Sequence, residues 1–319
     1  MLIFLLLLNP MKYTCLLLSL FLTTTCFAQD ELKKKNVSDT ILQQNRTLEM
    51  PDPFDATKAL LKLFPGKYYN LSDKYINDLI SWECKTCITK SYNDVNEDGN
   101  SPFPFKEGVA TRLINIMSYK DSSGTRYKVI SFNHSEYDAD GAQTSRFTGG
   151  LLGLAKFVLI NDKWVLKFFQ PAIAAYGAFS QCPRPTAVLI GQDQYAFMLK
   201  HSNGGGGGPF DGALFLIAGA NGAYQQVMAA YGVERTEVED GSFWSCEYSV
   251  PVSEKKFFRD IIITIKGTYK STDTESLPDE IKPLVKGKKQ GEFMMEQRYV
   301  YKGSKGYVLQ LPVKASLAD

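Results

Sequence analysis

From Arg112 onward the chain repeats one local pattern: a short apolar run, a turn of Gly, Asn, Asp or Lys, and a second apolar run with an aromatic near its start. Residues 113–119 and 127–132 flank a Lys-Asp-Ser-Ser-Gly turn. Residues 156–160 and 164–169 flank Asn161-Asp162-Lys163, 213–218 and 223–228 flank 219–222, and 298–301 and 307–311 flank 302–306. Runs this short, broken by residues that accept tight turns, specify antiparallel hairpins rather than packed helices. Further strands are expected at 187–190, 195–199, 244–250 and 260–266, and 277–291, with Pro278, Pro283 and a Lys cluster, reads as a long loop or short helix. The expected fold is mainly β: antiparallel hairpins in an irregular propeller-like array or a two-sheet sandwich, since each handles many short strands without long free edges.

Two hairpins are followed by the same Ala-Ala-Tyr-Gly, at 174–177 and 229–232, at irregular spacing. The apolar strand at 260–263 and the late Tyr-x-Tyr-x-Gly hairpin faintly resemble exported propeller-like repeat proteins, and no function is carried over on that resemblance. Ahead of the hairpins, 51–110 reads as a short helical N-terminal region with a loop. Residues 55–64 form an amphipathic helix stopped by Pro65-Gly66, and a second helix starts at Ser72 as N-cap. Residues 29–50 are polar and charged and read as a flexible N-terminal arm.

Residues 1–28 read as a signal peptide: Met11-Lys12, an apolar run over 15–22, and Cys26-Phe27-Ala28 before Gln29. The apolar runs at 1–8 and 15–22 are separated by Asn9-Pro10, and each is shorter than the roughly 20 residues that span a bilayer. The chain is therefore expected to be exported, periplasmic or extracellular, with no transmembrane segment after cleavage. A lipoprotein route through Cys26 is the lesser alternative, because Thr23 stands where a Leu is usual. The four domain divisions are thus 1–28, 29–50, 51–110 and a β domain over 111–319.

With 36 Lys+Arg against 34 Asp+Glu, the charge balance excludes the large basic excess of a nucleic-acid binder. Beyond the leader, Cys84, Cys87, Cys182 and Cys246 form an even set that in an oxidising compartment reads as up to two disulfides, of open connectivity. Cys84-Lys85-Thr86-Cys87 has C-x-x-C spacing, but the helix expected upstream would put it at a helix C-terminus, the wrong end for a redox thiolate.

Asp94, Asn96, Asp98 and Asn100 stand at alternate positions around Gly99. This stretch resembles the front half of an EF-hand-like or dockerin-like loop, which implies Ca2+ as cofactor. It departs from that pattern at the twelfth position, where Phe105 replaces the bidentate Glu. A second polar cluster, His134, Glu136, Asp138 and Asp140, follows an expected strand. Glycines 204–208 lack the Gly-Lys-Ser/Thr of a phosphate loop and read as a flexible loop. No G-x-S-x-G or H-E-x-x-H occurs. The functional expectation is an exported envelope or extracellular binding protein, stabilised by calcium, whose partner is an unidentified ligand or envelope protein. The alternative is a secreted hydrolase with an acidic cleft at His134, Asp138 and Asp140.

Overall fold

The computed structural model describes residues 32–71, 77–96, 99–143 and 146–318. The stretch expected as a signal peptide (1–28) therefore lies outside the described residues, as do the start of the expected second helix (72–76) and Asp98. The chain is mainly β. Its strands are β1 (Lys35–Asn36), β2 (Glu49–Pro51), β3 (Lys67–Tyr69), β4 (Leu79–Glu83), β5 (Lys90–Asn93), β6 (Asn100–Phe103), β7 (Val109–Lys120), β8 (Arg126–Ser135), β9 (Gly150–Ile160), β10 (Lys163–Gln170) and β11 (Ala175–Tyr176). There follow β12 (Thr186–Gly191), β13 (Gln194–Gly204), β14 (Phe210–Ala220), β15 (Ala223–Arg235), β16 (Phe243–Ser249), β17 (Ile261–Lys270), β18 (Gln290–Tyr301) and β19 (Tyr307–Leu317). Among the described residues the α-helix is α1 (Ala56–Leu63), which Asp55 caps by accepting the Lys58 N–H at 2.9 Å.

The first large sheet has the order β1-β4-β7-β8-β9-β10-β2, with β3 beside β4 and β11 beside β9. The second is a meander in which β12 to β19 pair in sequence order. All four hairpins read from the sequence form. Two of their turns show why: Asn161 and Asp162 take φ of 48° and 59°, and Asn221 and Gly222 take 52° and 78°. Paired left-handed residues give the two-residue turn whose twist matches antiparallel strands, and Asn, Asp and Gly adopt that conformation at least cost.

The unbroken apolar run in β14 is explained by burial on both faces. Leu214, Leu216 and Ala218 face a core within the curled second sheet, while Ala213, Phe215 and Ile217 meet Met117, Val129, Leu152 and Leu154 of the first sheet. Each such Leu, Ile or Phe contributes about 1.5–3 kcal/mol by leaving water. The second sheet curls until Gly306, in the β18–β19 turn, lies against the Val227 carbonyl of β15. Its concave side is filled by Leu277, Ile281 and Val285 from the β17–β18 connection, the segment expected as a loop or short helix. On the far face of the first sheet, Leu60, Leu63 and Phe64 of α1 and its end pack on Trp82, Phe132, Phe157, Trp164 and Phe169.

The N-terminal portion differs from its expectation. Residues 32–50 are not a free arm: β1 pairs in parallel with β4, β2 pairs with β10, and Val37, Ile41 and Met50 are buried. Strand pairing to distant partners overrides the polar local composition. Where the second helix was expected to end, Leu79–Glu83 is a strand with Leu79, Ile80, Ser81 and Trp82 all buried. Covered on both faces, it shows no alternation, and its apolar spacing mimics a helix.

A candidate anion cleft at the β4–β7 notch

Strand β4 covers only the beginning of β7. Trp82 pairs with Val109, Ser81 with Ala110 and Ile80 with Thr111, after which β7 continues to Lys120 alongside β8 alone. The notch opens a cavity of about 470 Å³. Its walls are Thr57 and Leu60 of α1, Tyr68, residues 77–80, residues 111–114, Asn133, Gln143, and the segment carrying Gln181, Cys182 and Arg184.

Arg112 is the unusual member of this wall. It is only 3% exposed, yet it forms no ion pair with a described carboxylate. Its guanidinium donates to Ser135 Oγ at 2.9 Å and to the Gly141 carbonyl, and its buried Nε–H has no acceptor. Burial pushes its pKa down to about 10, a trend that Tyr137 and Asp138 partly oppose. Asp138 does not close on it, because its Oδ1 accepts the N–H groups of Asp140 (3.0 Å) and Ala142 (2.8 Å). A buried cation without a counter-ion costs several kcal/mol, so the described residues leave this wall electrostatically incomplete.

Arg184 stands exposed at the mouth, between Pro183 and Pro185. Neighbouring side chains fix that segment. Asn133 donates to the Ser180 carbonyl and accepts the Cys182 N–H, both at 3.0 Å, and Asn115 donates to the Pro185 carbonyl at 2.8 Å. The carboxylate of the wall, Asp78, is engaged by Tyr68 Oη (2.6 Å) and the Leu71 N–H (3.0 Å). Cys182 is buried, and burial pushes its thiol up and holds it protonated at neutral pH. Arg184 also borders a second cavity of about 450 Å³, lined in part by Lys200, Cys246 and Tyr248. There burial, with Glu234 adding to it, pushes the Cys246 thiol up to about 12.

The residues singled out from the sequence lie elsewhere. His134 pairs across β7–β8 with Thr111 and points to the opposite face from Arg112, wholly buried among Phe64, Trp82, Phe103 and Phe132. Its protonation follows from its neighbours. Trp82 Nε1–H can only donate, and it reaches Thr111 Oγ1 at 2.7 Å. Thr111 therefore donates to His134 Nδ1 at 2.7 Å, leaving Nε2–H to donate to the Pro171 carbonyl at 3.0 Å. Burial pushes the His134 pKa down to about 3, so the ring is neutral and fully bonded. Glu136 and Asp138 are exposed in the following turn, Asp140 is half-buried there, and none of the three meets the imidazole.

The Asp94 loop is drawn into a hydrogen-bond staple. Asp94 Oδ1 accepts from Asn96 N (3.0 Å) and Nδ2 (2.7 Å), and Oδ2 accepts from Gly149 N (2.9 Å). Asn96 Nδ2 also reaches the Gly177 carbonyl at 3.0 Å, and Asn96 Oδ1 accepts from Asn203. His201 Nδ1 accepts the Gly177 N–H at 2.9 Å. Three motifs far apart in sequence thus meet: the acidic loop, the first Ala-Ala-Tyr-Gly turn and the strand leading into the glycine run. Asn100 lies apart, its Oδ1 accepting from Ser91 at 3.1 Å. A cation here would compete with N–H donors for every side-chain oxygen of Asp94 and Asn96. Among the described residues no three His, Cys, Asp or Glu side chains converge on a common point.

Cys84 and Cys87 are joined by a disulfide, directly after β4 rather than after a helix. Cys182 and Cys246 are free thiols, so the second bond expected from the even count is not formed. They pack in different cores, Cys182 between the sheets and Cys246 against the interior of the curled sheet. Among the described residues no helix is long and apolar enough to cross a membrane.

Sequence reasoning missed Arg112 and Arg184. A signal existed for the second, an arginine rigidly displayed between two prolines. For Arg112 the signal was broken by a bulge at Ile114, which shifts strand register between Leu113 and Asn115 and hides the shared face of Arg112 and Met117. No protein-family model, curated protein or solved structure matches the chain.

Proposed function

We propose that the chain is an exported binding protein that takes an anionic ligand in the β4–β7 cleft. The observation that carries this reading is the buried Arg112, which meets no described carboxylate, set behind exposed Arg184 in the wall of one cavity. A ligand anion supplies the missing counter-charge, Arg184 makes the direct contact, and the cleft amides of Asn77, Gln143 and Gln181 supply neutral hydrogen bonds. Export is supported by the leader-like N-terminus and by the Cys84–Cys87 bond, which persists in oxidising compartments. Binding is favoured over catalysis because the cleft's thiol is held protonated and its neighbouring histidine faces the other side of the sheet. We read the two sheets, which share a core, as a sandwich rather than a propeller.

The test is a thermal melt of residues 29–319 at low, matched ionic strength, with succinate, inorganic phosphate or choline chloride added. A saturable rise with succinate or phosphate, absent with choline chloride and lost in Arg184→Glu, is the expected result. Equal, small shifts with all three would remove the proposal.

A further inference from the structure

The notch offers more than a pair of cations. Among the described residues, no backbone group of 112–118 is hydrogen-bonded on the side that β4 leaves vacant. An open run of N–H and C=O groups is a template for an added strand. Some of the other edges are guarded: β19 carries Pro312 and Lys314, and β2 ends on Pro51, whereas β12, like β7, has neither proline nor charge. The open stretch of β7, Leu113-Ile114-Asn115-Ile116-Met117-Ser118, carries neither proline nor charge, and Ile116 is 44% exposed. It is long enough for about six residues of extended chain, roughly 20 Å.

The arginines give this edge a polarity. Strand β4 is antiparallel to β7, and its first residue, Leu79, lies at the Arg112 end of the notch. A peptide laid antiparallel on the open edge would run in the direction of β4, so its C-terminus would arrive beside Arg112 and Arg184. A parallel peptide would bring its ammonium group against the same two cations. We infer that the anionic ligand is the C-terminal carboxylate of an extended peptide, which adds to the β7 edge as an antiparallel strand with its terminus at Arg184. This rests on the anion-binding reading above. Main-chain bonds supply affinity along the edge, and half-buried Leu113 and Ile114 beside exposed Ile116 offer apolar contacts to alternate peptide side chains.

The probe is a pool of hexapeptides, random at the first five positions, fluorescein-labelled at the N-terminus and free at the C-terminus. Two matched pools carry a C-terminal amide or alternate N-methylated peptide bonds. Binding to residues 29–319 is read by retention on the immobilised chain, and hydrogen exchange across β7 is followed with and without the pool. The expected result is at least tenfold lower retention of the amidated and N-methylated pools, loss of retention in Arg184→Glu, and slowed exchange over residues 113–118. If succinate stabilises the chain through Arg184 but the N-methylated pool is retained as well as its parent, the anion cleft stands and strand addition falls. If neither succinate nor any pool binds, both fall. If residues 113–118 are already protected without peptide and the chain sediments as a dimer, the edge is occupied by a second copy and the peptide inference is overturned.

Discussion

Arg112 and His134 occupy neighbouring rungs of the same β7–β8 ladder, on opposite faces of one sheet. Both are buried and both titrate, yet their surroundings treat them in opposite ways. His134 gives up its charge: Thr111, Trp82 and Pro171 complete its hydrogen bonds, and four aromatic rings enclose it. Arg112 keeps its charge without a carboxylate partner among the described residues, and one donor goes unmet there. A satisfied polar group in a core fixes the packing around it, whereas an unsatisfied cation at a cavity wall leaves electrostatic stabilisation for something else to supply. On the proposed reading, a residue that serves the fold stands beside one that serves a ligand.

The largest expected effect breaks the satisfied side. His134→Ala removes a fully packed ring and leaves the Thr111 hydroxyl and Pro171 carbonyl without their partner, so urea denaturation should show a loss of about 3–5 kcal/mol. A smaller value, near 1 kcal/mol, would mean that the aromatic cluster tolerates the change and does not depend on the imidazole.

The same residue sets a pH dependence. Its folded pKa of about 3 lies below the value of an unfolded histidine, roughly 6.5, so the unfolded chain binds the proton first. The contribution is fully present above about pH 6.5 and declines as pH falls toward 3, at no more than about 1.4 kcal/mol per unit. Urea midpoints measured from pH 7 to 4 should fall, and His134→Gln should flatten the slope between pH 6.5 and 5, where carboxylates titrate least. An unchanged slope in the variant would assign the dependence to other groups.

The Asp94 staple gives an intermediate case, a charge satisfied by N–H groups rather than by a counter-ion. Asp94→Ala should lower stability by roughly 2 kcal/mol, because Asn96 and Gly149 lose their acceptor. The same melts in EDTA and in millimolar calcium decide between staple and ion site. The hydrogen-bond pattern predicts equal midpoints, and a calcium-specific rise that disappears in Asp94→Ala would restore the cation reading.

Much of the β architecture was legible because hairpins are local: Asn161-Asp162 and Asn221-Gly222 dictate their turns, and the apolar runs on either side need only meet each other. What the sequence concealed depends on distant partners. The strand at Leu79–Glu83 loses its alternation because both of its faces are covered, and the polar residues 32–50 become ordered through pairing with β4 and β10. The polar sites were harder still. His134 sits in sequence beside three acidic residues, yet strand alternation turns it into the core while they remain in the turn. Asp94 and Asn96 have the spacing of cation ligands, and only the fold shows that Gly149, Gly177 and Asn203 also bond to their side chains. The cleft itself depends on β4 being short, on the bulge at Ile114, and on Asn133 anchoring the segment that leads to Arg184.

The central claim is that the charge of Arg112 serves a ligand rather than the fold, and Arg112→Met tests it most directly. Calorimetric titration with succinate and urea denaturation of the same variant provide the two readouts. The account predicts stability within about 1 kcal/mol of the parent, because a buried unpaired cation is replaced by an apolar chain of similar volume, together with loss of succinate binding. Undiminished binding, or a stability loss of about 3 kcal/mol or more, would contradict it and place Arg112 with His134 among the residues that hold the sheet together.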